Sequence, residues 1–486
     1  MKNTPAMAVY ELRHIEALRK NLAGCTVLLK KDGSFPLEKP CTLAAYGSGV
    51  RRTIRGGTGS GEVNSRYSVT IEEGLQQAGF TLTGMEWHTG YEQARKKAHK
   101  AFLKQLKKDA KAVKQNFILY GMGKAMPEPE YNLPLNAEGD AAIYVVSRIS
   151  GEGNDRTPLK GDIRLTDSEV RDILALDKKF TRFMLVLNVG GVVDLSPVMD
   201  VRNILLLSQL GVETGGALAD ILLGKANPSG KLTTTWAAFE EYPEMPDFED
   251  MNETRYREGI YVGYRYFDTF RKPALFPFGH GLSYTEFRLG AVAVEANGAQ
   301  ITVRTFVENI GALAGRQVVQ VYLSKPSGKF DAPWQELCAF AKTHELAPGE
   351  TESVTCSFTL PEMAAYDTET ASYILEAGDY LVRVGVSSVE TAPAAVLHLD
   401  KTVTTLQANN VLGSTDFTDL TAPASTMERP AGVPVIEIDP VAIACETVAY
   451  DRTEEVLPEV DALTKEDAAL LLIGDFDPYA KGFASM

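Results

Sequence analysis

No stretch of this 486-residue chain approaches the ~20 consecutive apolar residues that a bilayer span requires. The first residues, Met1-Lys-Asn-Thr-Pro-Ala-Met-Ala-Val-Tyr-Glu-Leu-Arg-His14, reach charge before an apolar core of signal-peptide length can form. Cysteine is scarce. The five present (Cys25, Cys41, Cys338, Cys356, Cys445) are odd in number and never spaced Cys-x-x-Cys, which argues against a disulfide framework and a zinc site. A reducing, cytoplasmic setting is expected. The six histidines (His14, His88, His99, His280, His344, His398) show no ligand spacing, so neither metal nor cofactor is assigned. Basic charge is also in deficit, with 49 Lys and Arg against 64 Asp and Glu and a net charge of −15. That balance excludes a protein built to sit on nucleic acid or an anionic membrane and fits one with neutral ligands.

What is present is a repeated strand–loop–helix order. Short apolar runs at Cys41–Gly47, Ala142–Ile149, Phe183–Val189 and Ile204–Leu210 read as buried strands. Helical periodicity occupies 8–24, 69–78, 167–179 and 214–224. Strands alternating with helices imply a parallel, doubly wound α/β sheet. A further helix over about 91–114 carries nine Lys or Arg between Arg95 and Lys114. Ala94, Ala98, Phe102, Leu106, Ala110 and Val113 share one of its faces, so the cations are the solvated side of an amphipathic helix rather than a nucleic-acid patch.

From about residue 285 the period changes to two: Ile301, Val303, Thr305 and Val307 alternate, as do Tyr380, Val382, Val384 and Val386. The expectation is an α/β domain over 1–285 and an all-β sandwich over 286–400. Residues 401–486, with prolines at 423, 430, 434, 440 and 458, then form a linker and a short helix after Thr464.

The glycine-rich stretch Gly47–Gly61 lacks a nucleotide fingerprint: Arg52 stands where Gly-x-Gly-x-x-Gly needs its third glycine. Gly56 and Gly61 have phosphate-loop spacing, but Glu62 stands where the lysine belongs. Directly after the strand ending at Ile149 comes Gly151-Glu152-Gly153, a carboxylate between two glycines. In an open α/β sheet, ligands gather at loops leaving the carboxyl ends of strands.

The string Ile149-Ser-Gly-Glu-Gly-Asn-Asp-Arg156, with Lys160-Gly-Asp162 and Leu165-Thr-Asp-Ser-Glu169, resembles the acid/base loop of family 3 glycoside hydrolases, the β-glucosidase-like enzymes. Gly56–Val63, Gly211–Leu232, Tyr261–Asp268 and Leu275–Thr285 are similar to further family segments, so the resemblance covers about residues 25–400. It implies an α/β sandwich followed by a fibronectin type III-like domain. It also implies retaining hydrolysis of terminal β-linked sugars, an oligosaccharide or glycoside substrate, and Glu152 as general acid/base. Asp155 and Arg156 are the accompanying candidates for substrate contact; a nearby carboxylate would raise the Glu152 pKa and an arginine would lower it. His280 falls in what is a structural turn in the family.

Retaining glycosidases need a second carboxylate as nucleophile. In the family it lies on a (β/α)₈ barrel in a Ser-Asp-Trp-like motif, which this sequence lacks, as it lacks a Lys-His dipeptide. The segment Val460–Gly474 resembles the opening helix of that barrel in members with the order sandwich, fibronectin-like domain, barrel. The expectation is the acid/base half of such an enzyme, with the barrel missing. The alternative is a non-catalytic carbohydrate-binding or scaffolding protein derived from one.

Overall fold

The computed structural model describes residues 7–61, 63–121, 124–150, 156–244, 252–411, 413–423, 429–448 and 457–472. Two strands with no alternation of apolar and polar residues form the centre of its first layer: β4 (Ala141–Arg148) and β5 (Phe183–Val189), every residue of both being buried. Such runs require cover on both faces, and helices provide it. The remaining strands are β1 (Val27–Lys30), β2 (Thr42–Tyr46), β3 (Thr81–Thr83) and β6 (Ile204–Leu206), in the order β1-β6-β5-β4-β2-β3.

Alternate residues enter opposite cores. Ile143, Val145, Met184 and Val186 pack with α1 (Val9–Leu22), α2 (Ile71–Gln77) and α6 (Thr214–Leu222). Tyr144, Val146, Leu185 and Leu187 pack with α3 (Met85–Ala112) and α5 (Asp167–Lys179). Between these two helices lies the short α4 (Phe117–Gly121). Helices α2 and α6 touch at Gly74 and Gly215: a Cβ on Gly215 would collide with the Thr70 carbonyl, and one on Gly74 with the Gly215 backbone. Glycine is what lets the two backbones meet.

Helix α3 buries Leu106 and Ala110 and exposes Lys96, Lys97, Lys100, Lys104, Lys107, Lys108 and Lys111, the amphipathic arrangement its spacing predicts, although Val113 is exposed. It begins at Met85, earlier than the expected 91. The expectation of a parallel sheet needs one correction, because β1 pairs antiparallel with β6 while all other neighbours are parallel. The three-residue β3 is too short to show a period in sequence.

After α7 (Tyr264–Thr269) the chain enters the β-sandwich. One sheet contains β7 (Phe287–Leu289), β8 (Ala293–Asn297), β9 (Gln300–Asn309) and β12 (Thr351–Thr359). The facing sheet runs β11 (Glu336–Lys342), β10 (Val318–Ser324), β15 (Gly378–Gly385), β16 (Thr391–Leu399), β18 (Val435–Ile438). A third, smaller sheet contains β13 (Ala365–Asp367), β14 (Ser372–Leu375), β17 (Val403–Gln407) and β19 (Glu446–Thr447).

The stretch beyond residue 400 is therefore more than a linker. Strand β18 pairs in parallel with β16, and Ile438 and Ile443 enter the sandwich core. Leu420 and Ala422 pack against Tyr261, Tyr266 and Phe270. Only four residues long and flanked by prolines, β18 carries too little pattern to stand out in sequence. Near the end, α8 (Pro458–Asp461) precedes α9 (Lys465–Leu471), which Thr464 caps by accepting from the Asp467 N–H at 3.1 Å; Leu470, Leu471 and Leu472 are exposed. Among the described residues no helix is long and apolar enough to cross a membrane.

If β18 is a core element, Ile438→Ala should lower stability by about 2–4 kcal/mol through the lost apolar contacts and the cavity left behind. A urea midpoint identical to that of the unsubstituted chain would return this segment to the status of linker.

Candidate active site

The carboxyl ends of β2, β4, β5 and β6 lie side by side, and the loops leaving them are laced together. Buried Asn188, near the end of β5, accepts from the Ile54 N–H at 2.7 Å and donates to the Ile54 and Ser208 carbonyls at 2.9 and 2.7 Å. One side chain thus holds the loops after β2 and β6 to the sheet's centre. Gly47 turns the chain out of β2 with φ 91°, and a Cβ there would strike the Val145 backbone, so only glycine lets the loop pass this close to β4.

Arg148 ends β4. Its guanidinium is buried and donates to Glu169 Oε2 at 2.6 Å, the Ser147 carbonyl at 2.9 Å and the Asp162 carbonyl at 3.0 Å. Glu169 also accepts from the Thr166 N–H at 2.9 Å, while its own N–H donates to Thr166 Oγ1 at 3.1 Å, closing the first turn of α5. This is a reciprocal cap of the Thr-x-x-Glu kind, and it binds the start of the helix to the end of the strand.

Of the sequence-predicted residues, Glu152 and Asp155 lie outside the described residues, and Arg156 lies within them. The Arg156 Nε donates to Asp162 Oδ1, and the other Asp162 oxygen accepts from the Thr157 N–H at 2.6 Å and hydroxyl at 2.9 Å. Burial alone would raise the Asp162 pKa, but these donors hold its carboxylate below the ordinary range. Asp162 is thereby a staple for the returning limb of the loop. A side chain at Gly191 would meet Arg156 Nη1 at 3.2 Å and Ser150 Oγ at 3.5 Å, so both feet of the loop stand beside the turn after β5. Ser48 Oγ, Ser150 Oγ, Arg156 Nη2 and Gln209 Nε2, from the loops after β2, β4 and β6, are buried with no hydrogen-bond partner among the described residues. Buried polar groups normally find partners, so these four at the carboxyl end of a parallel sheet are candidates to meet a polar ligand.

Sequence reasoning missed Glu128. Its carboxylate accepts from the Tyr91 hydroxyl, and its backbone N–H bonds the Gly161 carbonyl at 2.8 Å, under the same loop. Burial first, and the Glu169 carboxylate second, push it up to about 7, although Arg148, Tyr91 and Arg95 act in the other direction. The Glu128 environment leaves no local mark in the sequence, since Tyr91 and Glu169 come to it only in the fold. Among the described residues no group of three His, Cys, Asp or Glu could hold a metal ion.

Comparison with known proteins fits this geometry to a class. The glycosyl hydrolase family 3 C-terminal domain matches residues 26–284, and the fibronectin type III-like domain matches residues 317–388. The chain belongs to glycosyl hydrolase family 3. It is 34% identical over 460 residues to beta-glucosidase A of Butyrivibrio fibrisolvens, an alignment covering 83% of this chain and 53% of that protein. Beta-glucosidase 3B of Thermotoga neapolitana, solved in complex with glucose, superposes with a TM-score of 0.70 at 34% identity, over 81% of this chain and 55% of that one. A Paenibacillus barengoltzii beta-glucosidase gives 0.68 at 33% identity, over 80% and 44%. The chain spans about half the length of these relatives.

Glu128 generates a pH prediction. The unfolded chain releases this proton near the ordinary glutamate value of 4.5, whereas the folded state keeps it to about 7. Between those values the folded state binds more protons, so this group's contribution to stability falls as pH rises. Glu128→Gln should flatten the decline by on the order of 1–3 kcal/mol, read as urea midpoints at about pH 5 and about pH 8. An unchanged pH dependence in the variant would mean that Glu128 titrates as an ordinary carboxylate.

Proposed function

We propose that this chain supplies the general acid/base for retaining hydrolysis of β-glucosides, with Glu152 protonating the departing oxygen and later deprotonating water. The observation that carries the reading is the placing of both feet of the Glu152 loop, Ser150 and Arg156, beside Gly191 at the carboxyl ends of the parallel strands. The family supports it, as do relatives named as beta-glucosidases. The Arg156 Nη2, without a partner among the described residues, is suited to donate to a sugar hydroxyl in the same place. Asp155, two residues after Gly153, is the second candidate for substrate contact.

The nucleophile is assigned to a barrel domain outside these 486 residues, because retention requires a carboxylate about 5–5.5 Å from the acid/base and this sequence has no Ser-Asp-Trp-like motif. The 486-residue chain by itself should therefore form no glycosyl-enzyme. Incubation with an activated 2-fluoro-β-glucoside followed by mass spectrometry is expected to show unlabelled protein. A labelled Asp or Glu would overturn the division of labour and name the nucleophile.

In a barrel-bearing form, Glu152→Ala should slow glycosides with poor leaving groups by about 10²–10⁴-fold, the range typical of general acid–base catalysis. Activated aryl glycosides should still glycosylate the enzyme, and added azide, which needs no deprotonation, should restore turnover and yield a β-glycosyl azide. Glu128→Gln, Asp155→Asn and Asp162→Asn are the comparisons. Azide rescue in one of them and none in Glu152→Ala would transfer the role to that carboxylate.

A further inference from the structure

The seam between α7 and the β-sandwich encloses a cleft of about 650 Å³, within the roughly 300–1,000 Å³ common to small-molecule sites. Its walls come from the end of α7 (Asp268 to Arg271), from the connection between β10 and β11 (Ser324 to Trp334), and from Ala422 and Pro423. None of these residues belongs to the strand-end loops around Glu152.

The lining has a definite chemistry. Trp334, Phe270 and Phe330 supply aromatic surface. The Trp334 backbone N–H is fixed to Thr269 Oγ1 at 2.8 Å, and the Arg383 guanidinium lies over its ring at 4.9 Å, yet the residue remains 38% exposed. Trp87 and Trp236, the other two tryptophans, are buried. A large aromatic side chain held in place at a cleft and left open to solvent forgoes its burial energy, which points to a partner for its face.

Charge narrows the class of partner. The lysines of the lining are neutralised, Lys325 by Glu336 at 2.5 Å and Lys329 by Glu369 at 2.8 Å and Asp367 at 3.3 Å. Asp331 is taken up by the Tyr261 hydroxyl at 2.5 Å and the Ala332 N–H at 3.1 Å. With both lysines and Asp331 paired, and with Asp268 and Arg271 of opposite sign in the lining, the cleft carries little net charge to draw an anion. It retains aromatic faces together with hydrogen-bonding groups: the Thr269 hydroxyl, the guanidinium of Arg271, whose backbone is held at φ 51°, and the carboxylate of Asp268, whose oxygens already accept from Gln335 Nε2 at 3.1 Å and Ser388 Oγ at 3.3 Å and keep further lone pairs. A left-handed conformation at a non-glycine residue is a strain that binding sites commonly carry.

An apolar face with a polar rim is the complement of a pyranose ring, which presents C–H groups on its face and hydroxyls at its edge. We propose that this cleft binds a neutral pyranoside, with Trp334 stacking on the sugar face and Arg271, Thr269 and Asp268 taking its hydroxyls, as a site separate from the one containing Glu152.

Saturation-transfer difference NMR on the full 486-residue chain with cellobiose, and with methyl β-D-glucopyranoside, tests it. Saturable signal is expected. It should weaken at least tenfold in Trp334→Ala with melting temperature retained, recover in part in Trp334→Phe, and fall in the surface variant Arg271→Ala. The Glu152→Gln chain should bind as the unsubstituted one does, which separates this proposal from the catalytic reading. Absence of saturable signal overturns it, as does signal indifferent to both Trp334→Ala and Arg271→Ala. Loss of signal in Glu152→Gln would place the sugar at the strand ends instead, and displacement by inorganic phosphate would make the cleft an anion site.

Discussion

One buried ion pair governs the arrangement of the strand-end loops. Arg148 is the last residue of β4, and its guanidinium remains charged at any pH a protein meets. Glu169 must therefore stay beside it, since an unpaired buried arginine costs about 3–5 kcal/mol. The same glutamate caps α5, so strand end and helix start cannot move independently. Arg148 also bonds the Asp162 carbonyl, and the Asp162 side chain binds Arg156 and Thr157. Both limbs of the loop carrying Glu152 are thus referred to one rigid group.

The carboxylates around this arginine divide by environment. Asp162, surrounded by donors, is held ionised and acts as a fastening; Glu128, buried beside a second carboxylate, keeps its proton to near neutrality. Raising one acid and lowering another that the fold brings near it is how a protein runs acid and base chemistry at one pH. Glu128 is already engaged with Tyr91. That engagement favours a positioning part over contact with substrate.

How legible this was in the sequence depended on the range of the interaction. Strand β5 and helix α5 were readable to the residue, because an unbroken apolar run and a 3.6-residue period are local signals. The direction of β1 was not, since pairing with β6 is decided by the fold as a whole and leaves no mark on four residues. Strand β18 was hidden for a different reason: its prolines and polar neighbours imitate a linker, and only the β16 edge gives it a partner. At the site, the glycine-flanked Glu152 stood out because its neighbours are unusual. Glu128 did not, because Tyr91 lies 37 residues before it and its pKa is a property of folded surroundings.

The edge formed by β1 has a consequence for synthesis. Leu282 bridges antiparallel to Leu28, its N–H donating to the Leu28 carbonyl at 2.8 Å, so the exposed side of β1 is covered by chain made far later. On a ribosome, where N-terminal domains fold as they emerge, strands β1 to β6 and helices α1 to α6 would all be made with that edge still open. An open edge is a template for pairing with another chain. The segment around Leu282 thus seals the sheet as well as leading into the sandwich, and nascent chains halted before it are the ones a chaperone would be expected to hold.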